Sequence, residues 1–278
     1  MWHGSSVETA DSSLVRAGAW QVRIHGPLQV TRPLNAVLSP IAIPEENLPP
    51  LEVFISRRGL AHGMVGGTDV WTFALPKRGW LSLLLGYTVG TAVSLLRQLH
   101  FVHAGAVEMD GRGYVLVGPP GAGKTSAVGV LLRRGATYLS DEVALLDPKG
   151  GTVHPFTLPL AVKPWTAKAI GPLPPTHLVA SDAGTQYLLP VRRAEAPVPL
   201  DSLVLLDPTR HAAEPAQFSR AEMLLALSEQ PSSFRYRHRL EDAFSAFVQL
   251  VRPARCLRLG SADPAEAAGM LFSLIEIP

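Results

Sequence analysis

The 278-residue chain has one cysteine, Cys256. That excludes an internal disulfide framework and any metal site built on several thiolates, and it fits a reducing, cytoplasmic compartment. Charge is also scarce, at 17% of residues, and nearly balanced, with a formal net charge of +2. A chain so poor in charge and with 47% hydrophobic residues is not a disordered one. The near balance gives no argument for nucleic acid or an anionic membrane as partner. There is no basic stretch followed by an apolar one at the start, so no secretory leader is expected. Long uncharged runs are rare as well. The run 79–96 is the one candidate span, but Ser82, Tyr87, Thr88, Thr91 and Ser94 dilute it. A helix buried in a soluble domain is the expectation there, with no membrane span. Internal repeats and low-complexity tracts are absent too.

What is present falls into two regions. Residues 1–98 read as a β-containing N-terminal region: Val22–Ile24 and Leu51–Ile55 alternate or run apolar, and Gly66-Gly67 sits between two strand-like stretches as a hairpin turn. The Pro-rich stretch 44–50 reads as a loop. Residues 99–278 carry the sharper pattern. A strand is expected over 103–110, a turn at 111–113, an apolar strand at 114–117 and a helix over 124–134 closed by Gly135. A further strand climbs from Thr137 to Ser140. Residues 155–190, rich in proline, read as mostly irregular, 202–206 as a buried strand, and the chain beyond Ser219 as helical.

Gly118-Pro119-Pro120-Gly121-Ala122-Gly123-Lys124-Thr125 fits G-x-x-x-x-G-K-[ST] at every fixed position. Such a loop wraps its N–H groups around phosphates, while the lysine reaches the β- and γ-phosphates and the hydroxyl takes Mg²⁺. The helix that starts here turns its positive end to the same anion. Gly118, Gly121, Ala122, Gly123, Lys124, Thr125 and Ser126 are therefore the expected nucleotide-binding residues, with ATP and Mg²⁺ the expected ligands. A P-loop needs a carboxylate for the metal. Asp141 and Glu142 follow soon after the loop helix, which predicts that their strand lies beside the P-loop strand. His103 stands on the strand expected before the loop. Glu108 and Asp110 read as turn-flanking charges, Lys163 and Arg192 as candidates for neutralising phosphate charge, and 234–239 as a solvated cationic and aromatic stretch.

Together, His103-Ala104-Gly105, the loop 118–125, Arg134-Gly135 and Asp141-Glu142 resemble the kinase domain of the HPr serine kinase/phosphorylases. Leu189-Pro190-Val191-Arg192-Arg193 is similar to that family's Pro-Val-Arg segment. The second acid is Glu142 where the family has Asp, the Arg-Gly-Leu-Gly-Ile signature is not visible, and residues 1–98 look more like the leader of the short HPr-kinase-like proteins of peptide biosynthetic clusters, such as lasso-peptide tailoring kinases. The resemblance implies an α/β P-loop kinase fold with a helical C-terminus and a γ-phosphoryl transfer from ATP to a serine of a peptide or protein. Thr125 and Asp141 would then hold Mg²⁺, and Glu142, helped by His103, would act as base, with the two acids exchangeable. A small-molecule kinase and a nucleotide-switched ATPase or binding protein stay open. The acceptor and any homo-oligomeric state are not set by the sequence.

Overall fold

The computed structural model describes residues 12–17, 20–41, 48–210, 216–229, 240–261 and 263–275. The chain is mixed α/β, with seven helices among the described residues. It divides into two compact units, Met1–Leu95 with Ala180–Ala183, and Leu96–Val179 with Gly184–Pro278. The expected loop 44–50 and the cationic stretch 234–239 lie wholly or partly outside the described residues.

The first unit is one sheet with two helices: β1 (Ser12–Ala17), β2 (Trp20–His25), α1 (Leu28–Leu38), β3 (Leu51–Ile55), β4 (Leu60–Val65), β5 (Thr68–Ala74) and α2 (Trp80–Leu95). The strands stand in sequence order, parallel only between β2 and β3, where α1 makes the crossover. Sequence patterning misses α1, because Pro33 sits inside it. α2 occupies the expected uncharged run. Its polar positions are satisfied along the helix: the hydroxyls of Thr88, Thr91 and Ser94 donate to the carbonyls of Leu84, Tyr87 and Thr91. No described helix is long and apolar enough to cross a membrane.

The second unit begins with β6 (His100–Val102), β7 (Gly105–Met109), β8 (Arg112–Val117), α3 (Lys124–Arg133), β9 (Thr137–Ser140), β10 (Ala144–Asp147) and β11 (Thr152–His154). It continues with β12 (Leu160–Val162), α4 (Pro164–Ile170), β13 (Thr176–Asp182), β14 (Thr185–Pro190), β15 (Val198–Leu206), β16 (Ala216–Gln217), α5 (Arg220–Ser228), α6 (Leu240–Val251), β17 (Arg255–Leu259) and α7 (Pro264–Ile275). β7 and β8 form a hairpin whose turn residues Asp110 and Gly111 both have positive φ, the backbone that a two-residue turn needs to follow strand twist. Two expectations fail here. Residues 155–190 are not irregular: their prolines punctuate the small sheet β12-β14-β13 and start α4. Nor is the C-terminal region all helix, since β17 pairs in parallel with β15, inside the main sheet.

Around the loop the strand order is β17-β15-β8-β7-β9. β15 and β17 run parallel to β8, and β7 runs antiparallel to both β8 and β9. β9 therefore points the same way as β8, but it is not the neighbour of β8 as its position in sequence predicts. The β6–β8 chain enters before the glycine-rich loop 118–125 and places β7 between them. Alternate side chains of β8 then feed two cores. Tyr114 and Leu116 pack with Val128, Leu131 and Leu271 from α3 and α7. Val115 and Val117 pack with Met223, Leu227, Phe247 and Leu250 from α5 and α6. The result is three layers, helices on both faces of one sheet.

α3 can lie close above β7 because Gly105 has no side chain: a Cβ there would stand 2.6 Å from Val128 Cγ2. Gly105→Ala should thus cost about 1–3 kcal/mol by overpacking. Urea titration checks this, and Val128→Ala placed in the same chain should recover part of the loss.

Candidate functional site

The loop after β8 has three glycines in the left-handed or adjacent positive-φ region: Gly118 at 155°, Gly121 at 84° and Gly123 at 87°. Two of them are also tightly seated. A Cβ on Gly118 would meet the Leu206 carbonyl at 2.8 Å, and one on Gly123 would meet Pro264 Cγ at 2.5 Å. The ends of β15 and the start of α7 thus clamp the two ends of the loop. α3 starts after Gly123 with no side-chain N-cap, so no side chain takes up the N–H groups of its first turn. Lys124, buried, folds its ammonium back onto the Gly118 carbonyl at 2.9 Å and the Pro119 carbonyl at 3.3 Å. Burial lowers its pKa, and the charges of Glu142 and Asp141 oppose that shift.

The acid pair follows β9 at the same sheet edge as the loop. Ala106 pairs with Ser140 and Val107 with Tyr138, so Leu139 is an extra residue, a bulge just before Asp141. The turn is closed by the Ser140 hydroxyl donating to the Val143 carbonyl. Asp141 is 1% exposed. The Thr125 hydroxyl donates to its Oδ1 at 3.3 Å, and its Oδ2 is buried with no protein partner. Burial, then the neighbouring Glu142 charge, push its pKa up to about 7. Glu142 has φ 71°, strained for a non-glycine residue, and such strain concentrates where geometry matters to function.

His103 is not on a strand but in the bend between β6 and β7. Its Nδ1 lies 2.9 Å from the Glu142 carbonyl and 3.3 Å from Glu142 Oε2. A carbonyl only accepts, so Nδ1 carries the proton and donates, which leaves Nε2 as an acceptor on the neutral ring. Burial is the main cause of its lowered pKa, which keeps the ring neutral.

Lys124, Thr125, Asp141, Glu142 and His103 thus converge, together with the glycines and Ala122; Ser126 lies buried in the first turn of α3. Two further candidates do not join them. Lys163 stands over the Trp165 ring at 5.4 Å. Arg192 Nε donates to Thr137 Oγ1 at 3.1 Å, at the end of β9 away from Asp141. Glu108 accepts from the N–H of Gly111 and serves the hairpin turn. The sequence reading missed Leu206 and Pro264, the two residues that hold the loop ends. The buried strand 202–206 was a signal for the first; nothing in the sequence marked the second.

The donors suit a hard divalent cation. Thr125 and Asp141 offer oxygen, the ligand type Mg²⁺ takes, and the buried Asp141 Oδ2 has a vacant acceptor site beside a hydroxyl. No protein-family model matches the chain, and no curated protein matches it.

The raised Asp141 pKa sets a pH dependence. The folded protein holds a proton on this carboxyl that the unfolded chain releases near 3.8, so the contribution to stability is full below that value and is lost as pH rises through about 7. In metal-free buffer Asp141→Asn should therefore gain stability over wild type as pH is raised from 5 to 8. Thermal melts of both proteins across that range check it; a constant gap between the curves contradicts the raised pKa of the buried carboxyl.

Proposed function

We propose that this chain is a phosphotransferase of the HPr-kinase type, which moves the γ-phosphoryl of ATP to a serine hydroxyl of a peptide or protein. The observation that carries the reading is the pairing of a P-loop lysine and threonine with a buried, half-satisfied Asp141, next to a Glu142 held by His103.

Catalysis of this kind is positioning and charge neutralisation. The loop N–H groups and Lys124 hold the phosphates, and to do so the Lys124 ammonium leaves the Gly118 and Pro119 carbonyls. Mg²⁺ held by Thr125 and Asp141 would supply charge neutralisation at the phosphate oxygens. Glu142 accepts the proton of the acceptor hydroxyl as its oxygen bonds to the γ-phosphorus; the bond to the bridging oxygen breaks, and ADP leaves with that electron pair. His103, donating from Nδ1 to Glu142, fixes the direction of the carboxylate. A second reading, a nucleotide-switched ATPase, is favoured by one observation: the Glu142 side chain is 52% exposed, so water can reach it.

The test uses Mg·ATP, ADP release and phosphopeptide detection by mass spectrometry. Lys124→Ala should abolish the Mg·ATP-induced rise in melting temperature; equal shifts in both proteins remove the P-loop assignment. Glu142→Gln should lower kcat by ~10²–10⁴ with nucleotide affinity retained.

His103→Ala should hurt phosphopeptide formation more than ADP release, because a tethered hydroxyl must be aligned and a shift of about 1 Å can cost ~10²-fold, whereas water finds another approach. If wild type releases ADP and never yields a phosphorylated acceptor, the ATPase reading replaces the kinase.

A further inference from the structure

A cavity of about 290 Å³ lies beside the phosphate loop. Pro119, Pro120, Leu206 and Ala226 give it apolar walls, and Asp207 and Glu229 are the two acidic residues among its lining. Asp207 follows β15 directly. Its Oδ1 accepts from the N–H and hydroxyl of Thr209, and its Oδ2 meets Arg210 Nε only loosely, at 3.7 Å. A carboxylate has about four acceptor positions, so capacity remains. Glu229, at the end of α5, is exposed.

The end of the loop that forms the wall decides which part of the substrates the cavity adjoins. Lys124 rests on the carbonyls of Gly118 and Pro119. A P-loop lysine serves the β- and γ-phosphates. The Pro119-Pro120 wall is therefore on the terminal-phosphate side of the loop, not the nucleoside side. Apolar walls with carboxylates suit a side chain that has an aliphatic stem and a cationic head.

We infer that this cavity is a specificity subsite for a lysine or arginine side chain of the acceptor peptide. The inference rests on the phosphotransferase reading. It also fixes a spacing. Glu142 follows β9, the cavity lies at the end of β15, and the strands stand in the order β15-β8-β7-β9. Three strand steps at about 4.8 Å make about 14 Å, and an extended chain covers about 3.4 Å per residue. The cation therefore belongs about four residues from the phosphorylated serine.

The experiment uses the full chain and single-serine peptides of alanine and glycine, with one lysine moved stepwise away from the serine on either side. Matched peptides carry norleucine, which keeps the stem and drops the charge. Transfer is read as phosphopeptide, and binding separately by fluorescence anisotropy with Mg²⁺ and a non-transferable ATP analogue. Lysine about four residues away should tighten binding roughly five- to tenfold over norleucine, as expected for a partly exposed ion pair with stem burial. Glu229→Lys, a surface change, should turn the preference to glutamate, and Ala226→Phe should remove it by filling the cavity. Peptides that do not bind, bind without regard to the lysine's distance, or keep their preference in both variants overturn the subsite. So does a loss of ATP affinity in Ala226→Phe relative to inorganic triphosphate with peptide selection unchanged, which would assign the cavity to the nucleoside. Failure of the underlying reading shows separately, as the absence of any Lys124-dependent Mg·ATP shift, and the subsite falls with it.

Discussion

Everything at the candidate site depends on how closely α3 can approach the strand beneath it. β7 separates the P-loop strand from the acid-bearing strand, so the carboxylate must be reached across an intervening strand. That works because β7 offers Gly105 under the first turns of α3. The Gly105 position brings Val128 down, and with it Lys124 and Thr125, until Thr125 meets Asp141. A side chain on Gly105 would lift the helix, and the lift would be felt first at the hydroxyl–carboxylate contact. Interiors packed to crystal density pass such shifts on rather than absorb them.

The same constraint explains what burial does to the acids. Asp141 is buried because the helix sits over it, and the low-dielectric surroundings are the main cause of its raised pKa. Glu142, one residue on, turns out to solvent through a left-handed backbone step. Adjacent carboxylates in such unlike environments can take two roles. His103 reinforces the division, since it bonds the backbone and carboxylate of Glu142.

The loop, its helix, a hairpin before it and the strand up to Asp141 were legible in the sequence because each is set by local chemistry, though the hairpin turns at Asp110-Gly111 and not at 111–113, where Arg112 and Gly113 already belong to β8. What was not legible is set by distant partners. That β9 pairs with the far side of β7 and not with β8 is reported by no spacing. Proline density over 155–190 reads as loop, yet those prolines fall at strand and helix boundaries, where they cost nothing. β17 is short and lies between helical patterns, and its pairings with β15 and β16 make it a strand. Arg192 was singled out by resemblance, and the fold sends its guanidinium to Thr137 instead.

Lys124 has a consequence for how the loop handles small anions. Its ammonium already has two carbonyl partners, so the loop carries an internal surrogate for an anion's oxygens. An incoming anion competes with these contacts and gains only the difference. A single phosphate, offering one contact to the lysine, exchanges like for like. A triphosphate would also engage loop N–H groups and the helix end, which no side chain caps. The self-occupied lysine therefore acts as a threshold: it discounts short anions more than long ones and holds the loop in shape without them.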